Sequence, residues 1–237
     1  MLIIHDSRLP QILIRNLQNY GDTVPFLTHN ITDNIIAGHP DIFICPVGNQ
    51  TVIAPNTPIE IIKILDERQI SYLMGENSIG ITKSHSTHYN VVTTNQLIIH
   101  QFKYTDPSII SCFQKQNNNV AFQQKCINIK QAYTRCSLLA LKENHFITSD
   151  QGIANTLHKR GLDVFYMSPK EIILPGVSHG LLGGCLGVME TTVFMTGNLN
   201  YHSEGKQLKE YLSSLQYQIV ELYEGPLMDG GGIFFFQ

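Results

Sequence analysis

Apolar positions in this chain recur in a fixed order: a β-type run, a turn, a second run, a stripe at helical spacing and a third run. The clearest copy predicts strands over 137–141 and 146–149, a helix over 151–160 and a closing strand over 163–167. In that helix Ile153, Ala154 and Leu157 share one face, and Gly161 stands where a C-cap glycine belongs. The same ββαβ order is predicted over 42–45, 52–54, 57–68 and 70–74, with Pro58 just inside the helix start. It is predicted again over 90–93, 97–100, 106–116 and 120–122, and over 186–189, 193–196, 204–215 and 218–222. A fifth unit is divided between the chain ends, with a first strand over 233–236 and its partner over 2–5, followed by a helix over 9–20 and a strand over 23–27.

The run LIIH occurs twice, at 2–5 and 97–100, and sets the register of the repeat. Aligning the second strands brings Asp6, Asn56, Gln101, Asp150 and Asn198 to one position, 45 to 50 residues apart. Counting 39 residues from Asn198 to Gln237 and six more to Asp6 gives 45, so the gap across the chain ends matches the others. Such a period signals a closed array. The expected fold is therefore α/β, a single five-bladed α/β-propeller over residues 1–237, its last blade closed by the N- and C-terminal strands. Closure would hide an aromatic edge that otherwise invites aggregation.

Composition narrows the function classes. The 237 residues are 43% hydrophobic and 15% charged, which suits a globular chain with a sizeable core. A net charge of −3 and a pI near 6.3 supply no cationic field, so neither nucleic acid nor a membrane is expected as a partner. No stretch reaches 18 apolar residues, and the start lacks the pattern of a secretory signal. Five cysteines, odd in number and without CxxC spacing, fit a reduced, cytoplasmic setting. His85 and His88 form an HxxH without a helix or an accompanying acid and are expected in a solvated loop. No metal and no cofactor are expected.

Five ββαβ units closing as a ring resemble the pentein fold of guanidine-modifying enzymes, which includes arginine and agmatine deiminases, dimethylarginine dimethylaminohydrolase and amidinotransferases. The segments KQAYTRCSLLALKENHFITSDQGIA, over 130–154, and LPGVSHGLLGGCLG, over 174–187, also resemble an uncharacterised bacterial family of that fold. The resemblance implies an axial pocket with a cysteine nucleophile from the last unit, a histidine from the unit before, and carboxylates that grip a guanidinium. His179, in SHGLLGG, matches the family's histidine. The nucleophile is expected a few residues after GGG, but this chain reads DGGGIFFFQ, with phenylalanine at the candidate positions. Where the family's GGD motif would fall stand Arg135, Cys136 and Ser137.

A gap-free alignment of the third and fourth units sets Gln131 against His179, Cys136 against Gly184, Ser137 against Cys185 and Asp150 against Asn198. Polar residues at the ends of inner strands converge near the axis of such a ring. The candidate catalytic residues are His179 as base or hydrogen-bond partner, Cys185 as thiol and Asp150 as acid; Asp6, Asn56, Cys136, Asn198 and Asp229 are candidate ligand contacts. Helix capping competes for Asp150, Asp6 and Asn56, and Gly230–Gly232 suit the crossing into the closing strand. The leading expectation is small-molecule binding, of an amine or guanidino compound, in a polar axial pocket. The alternatives are a divergent guanidine-group hydrolase or amidinotransferase using His179 and a displaced Cys185 or Cys136, and a non-catalytic interaction protein like the pentein-ring ribosome anti-association factor.

Overall fold

The computed structural model describes residues 1–117 and 122–237 and contains five three-stranded sheets of one design. In chain order, strand β1 (Leu2–Asp6), helix α1 (Gln11–Leu17) and strand β2 (Asp22–Phe26) begin the blade that the far end of the chain completes. The next blade holds β3 (Ile44–Val47), β4 (Gln50–Ile53), α2 (Ile59–Glu67) and β5 (Leu73–Met74). Then come β6 (Val92–Thr93), β7 (Ile98–His100), α3 (Pro107–Gln116) and β8 (Cys126–Asn128). The fourth stretch carries β9 (Leu138–Ala140), β10 (His145–Thr148), α4 (Gln151–His158) and β11 (Asp163–Tyr166). The last full blade is β12 (Leu186–Met189), β13 (Thr192–Met195), α5 (Gly205–Ser214) and β14 (Gln218–Glu221), after which β15 (Phe234–Phe236) returns to β1.

In every sheet the middle strand pairs antiparallel with the first and parallel with the third, across the helix. The closing pair is in register as Leu2 with Phe236, Ile3 with Phe235 and Ile4 with Phe234. First strands lie against first strands around the centre, β3 on β6, β6 on β9 and β12 on β15. This is the five-bladed α/β-propeller that the repeat implied, closed as the resemblance to the pentein fold led one to expect.

Successive side chains on a strand point to opposite faces, and here both faces are dry. On β1, Leu2 and Ile4 join the apolar cluster shared with the β3–β5 blade, while Ile3 joins Leu13, Leu17 and Phe194 toward the β12–β14 blade. On β10, Phe146 faces the blade before and Ile147 the blade after. The middle strands therefore carry apolar residues on both faces. Each fully buried large side chain contributes about 1.5–3 kcal/mol, and each blade supplies half of two interfaces.

Some element positions differ from the sequence expectation. The closing strand of the second unit was expected over 120–122; positions 118–121 lie outside the described residues, Phe122 begins a helical turn (Phe122–Lys125), and β8 follows it. The strand beside β7 is set by the parallel register of Ile98 with Cys126 and Ile99 with Ile127. Pro58 stands at the N-cap of α2 and not inside it, and Ile59 is exposed while Ile61 and Leu65 carry the buried stripe. Among the described residues no helix is long and apolar enough to cross a membrane.

The second LIIH ends on a buried imidazole that the fold satisfies. His100 Nε2 donates to the Ala132 carbonyl at 2.9 Å, and Nδ1 accepts from the Thr105 hydroxyl at 2.7 Å. Burial pushes its pKa down to about 4 from an ordinary 6.5. Above pH 6.5 the ring is neutral in both states; below it the unfolded chain takes up a proton that the folded chain refuses. Stability is thus expected to fall between pH 6.5 and 4 by roughly 1.4 kcal/mol per pH unit from this group, and urea unfolding of His100→Gln should show a shallower loss over that window. In β15, Phe234 and Phe236 are buried and Phe235 is half-buried. Urea midpoints should place Phe234→Ala about 3–5 kcal/mol below the native protein and Phe235→Ala distinctly less; equal costs would count against this packing of the closing strand.

Candidate functional site

Five positions that open the first strands meet at the centre: Asp41, Asn90, Cys136, Gly184 and Gly232, separated by 49, 46, 48 and 48 residues. They are tied side to side. Asn90 Nδ2 donates to the Asp41 carbonyl at 3.2 Å, and Asn90 Oδ1 accepts the Cys136 N–H at 3.1 Å. The Gly232 N–H donates to the Gly184 carbonyl at 2.8 Å. Gly231, with φ +67°, carries the backbone past His39; a Cβ there would overlap the His39 side chain, so glycine serves both the crossing and the approach.

Above this ring opens a cleft of about 450 Å3, lined by Asp33, His39, Tyr133, Cys136, His179 and Asp229 together with apolar side chains that include Ile35, Leu174 and Val177. A second recess of about 310 Å3, lined in part by Asp6, Arg8 and Asn34, shares Ile35, Leu174 and Asp229 with the first. The floor is formed at His39, the N-cap of a 3-10 turn (Pro40–Ile42) just before β3; Asp41 lies within that turn and does not itself line the cleft. His39 is 1% exposed and Asp41 is fully buried, yet both ring nitrogens of His39 and Asp41 Oδ1 lack a hydrogen-bond partner among the described residues. Each such buried polar group costs about 1–3 kcal/mol, so this is where the fold gives up stability. The nearest carboxylates to the imidazole are Asp6 Oδ2, 3.9 Å from Nε2, and Asp229 Oδ1, 3.8 Å from Nδ1, both too far for a hydrogen bond.

Cys136 Sγ donates to Asp41 Oδ2 at 2.9 Å and accepts from Asn90 Nδ2 at 3.2 Å. Burial pushes the Cys136 thiol well above its ordinary value, and Asp41 and Asp229 add to the effect. Burial also raises the Asp41 carboxyl to about 6, against the pull of His39, Arg135 and the thiol. At rest the pair is a thiol beside a carboxyl group, not a thiolate. Arg135 is anchored by the Gly183 carbonyl at 2.6 Å and the Leu186 carbonyl at 3.1 Å.

The other sequence candidates are placed as follows. His179 borders the cleft; its Nδ1 donates to the Gly180 carbonyl at 3.0 Å, which leaves Nε2 as the free acceptor. Asp229 accepts from the Leu181 N–H at 2.8 Å and the Gly231 N–H at 3.1 Å. Cys185 is fully buried behind this wall, its thiol directed to the Leu181 carbonyl at 3.5 Å, and it does not line the cleft. Asp150 caps α4, accepting from the Ile153 N–H at 2.8 Å. Asn198 caps a 3-10 turn and binds Glu224, and Asn56 pins the backbone of Ile79. Asp6 is held by the Arg8 guanidinium and backbone. The structure thus gathers His179, Cys136, Asp229 and Asp6 around the two recesses and leaves Asp150, Asn56, Asn198 and Cys185 outside them. His39, Asp41 and Asn90 were not singled out from the sequence; carrying the 45–50-residue period from Cys136 back through Asn90 would have reached Asp41.

Comparison with known proteins agrees with the ring. A family model described as a family of unknown function, DUF6873, matches residues 4–234, and the chain belongs to that family. No curated protein sequence matches significantly. Among solved structures, DDAH from Pseudomonas aeruginosa, a mutant complexed with citrulline, aligns with a TM-score of 0.53 at 9% identity over 94% of this chain and 91% of its own. A dimethylarginine dimethylaminohydrolase adduct with S-methyl-L-thiocitrulline gives 0.55 at 11% identity, covering 94% and 92%. SxtG, an amidinotransferase from Microseira wollei, gives 0.53 at 8% identity, covering 94% and 88%. At these identities the likeness establishes the shared fold.

The electrostatics of the thiol can be read by alkylation. With iodoacetamide at pH 8, Cys136 in the native protein is expected to react more slowly than the half-buried Cys126. In Asp41→Asn, loss of the facing charge should speed Cys136 labelling, about tenfold for each unit by which the thiol pKa falls. Unchanged labelling would show that burial alone silences the thiol.

Proposed function

We propose that this member of a family of unknown function binds a small cationic molecule, an amine or guanidino compound, in the axial cleft. The observation that carries the reading is the lining itself. The cleft has the volume of a small-molecule site, presents the carboxylates of Asp33 and Asp229, has no Lys or Arg among its lining residues, and ends on an imidazole the fold leaves without a partner. Asp229 uses each carboxylate oxygen for one backbone N–H, and a carboxylate offers about four lone-pair sites, so it retains capacity for a bound cation. His179 Nε2 adds an acceptor at the rim, and Leu174 and Val177 supply apolar surface for an alkyl stem.

A second reading, guanidine-group hydrolysis or transfer, is favoured by one observation: of the two displaced thiols, Cys136 lines the cleft that His179 borders. In that chemistry His179 Nε2 would take the Cys136 thiol proton, the sulfur would form a bond to the planar carbon, and Nε2 would return the proton to the amine as its C–N bond breaks. The raised thiol pKa means that the bound cation, by its charge, would have to stabilise the thiolate as its proton passes to the base.

Thermal-shift measurements with methylguanidinium and alkylamines, set against neutral methylurea, are expected to give a rise in Tm for the cations alone, lost in Asp229→Asn. Equal responses to the urea and the cations would overturn the binding reading. For the catalytic reading, chloroacetamidine should label Cys136 faster than neutral chloroacetamide, with protection by methylguanidinium; equal slow rates would sink it.

A further inference from the structure

We infer that His39, Asp41 and Cys136 form a binding site for one divalent transition-metal ion of the zinc class, with an open coordination position facing the axial cleft. One donor atom from each residue lies within 4.8 Å of the other two, and all three residues are buried. Their convergence is not explained by protein contacts alone. Both nitrogens of His39 and Asp41 Oδ1 have no partner among the described residues, so these side chains keep unused ligating capacity within reach of one another.

The donor set selects the metal. One thiolate sulfur, one imidazole nitrogen and one carboxylate oxygen suit zinc or cobalt, whereas calcium and magnesium take oxygen alone. Metal–ligand bonds of about 2.0–2.3 Å put tetrahedral ligands about 3.3–3.8 Å apart. An ion would therefore widen the 2.9 Å contact between Cys136 Sγ and Asp41 Oδ2 and draw His39 inward. Binding exchanges a proton for the ion: the Cys136 S–H bond breaks, a sulfur–metal bond forms, and the proton leaves to solvent.

The surroundings fit a dication. Asp6, Asp41, Asp229 and a Cys136 thiolate carry four negative charges, and Arg8 and Arg135 carry two positive ones, leaving a formal deficit of two. The imidazole also has its supporting carboxylates in place. Asp6 lies 3.9 Å from Nε2 and Asp229 3.8 Å from Nδ1, so whichever nitrogen takes the metal, the other turns its N–H toward an acid. Cys136 and His39 both line the cleft, which leaves the fourth position accessible to a small ligand.

This goes beyond the cation-binding reading and is separable from it. Chelator-stripped protein should take up one equivalent of Co2+ per chain, develop thiolate-to-cobalt charge-transfer absorption and release about one proton per ion. Cys136→Ser should lose the charge-transfer band, His39→Ala and Asp41→Asn should each weaken binding at least tenfold, and Cys185→Ser and His85→Ala should bind as the native chain does. Absence of stoichiometric uptake, a band that survives Cys136→Ser, or loss of uptake in His85→Ala overturns the inference. Should Cys136→Ser fail to fold, X-ray absorption of the native zinc form decides: a shell with one sulfur supports the site, and a shell without sulfur overturns it. Methylguanidinium binding to metal-free protein that takes up no ion would leave the cleft reading standing and sink this one.

Discussion

Pairing of Phe234–Phe236 with Leu2–Ile4 is the contact on which the ring depends. Every middle strand is wedged between two neighbours, so a blade removed from the ring exposes apolar surface on two sides at once. Four blades are contiguous in sequence and need only local hairpins and helical crossovers. The remaining one exists only after residues more than two hundred positions apart have met, and the entropy of closing so long a loop must be recovered from aromatic burial such as Phe194 against Phe235, with ring centroids 4.8 Å apart.

The same closure assembles the centre. Gly231 can slide past His39 only because β15 is pulled onto β1, and Asp229, just ahead of the crossing, is thereby brought to the imidazole. The polar groups at the floor are only partly used to hold the ring together. The His39 ring and Asp41 Oδ1 forgo hydrogen bonds that the apolar blades around them do not replace, while His100, equally buried at the end of its strand, has both nitrogens bonded. Among the buried histidines His100 and His202 have both ring nitrogens bonded, His5 has one and His39 has none, so His39 is the imidazole that the folded chain explains least.

Much of this was legible in the sequence because the repeat is a physical constraint stated five times. Period-2 runs and helical stripes located the blades, and equal spacing across the chain ends located the closure. Element limits were less legible: the parallel partner of β7 is Cys126–Asn128, fixed by register with Ile98 and Ile99, which no local pattern encodes. At the centre, His179, Cys136 and Asp229 were marked by motif or by alignment. The polar residues at the ends of the second strands, Asp150 and Asn198, proved to be caps, because a strand leading into a helix points its last side chain at orphan N–H groups. The axial ring lies at the other end of the hairpin, before the first strands, and the short HPD segment that carries its floor has no periodicity to betray it.

The order of strands around the closing blade bears on how the molecule is made. Of the fifteen strands among the described residues, β1 is synthesised before all the others and its antiparallel partner β15 after them. While the intervening blades are being synthesised, one side of β1 has no hydrogen-bonding mate, and the apolar run LIIH is available to any other extended chain. Translation speed and holding chaperones, rather than intrinsic stability, would then govern how much of this protein reaches its native form in a crowded cell.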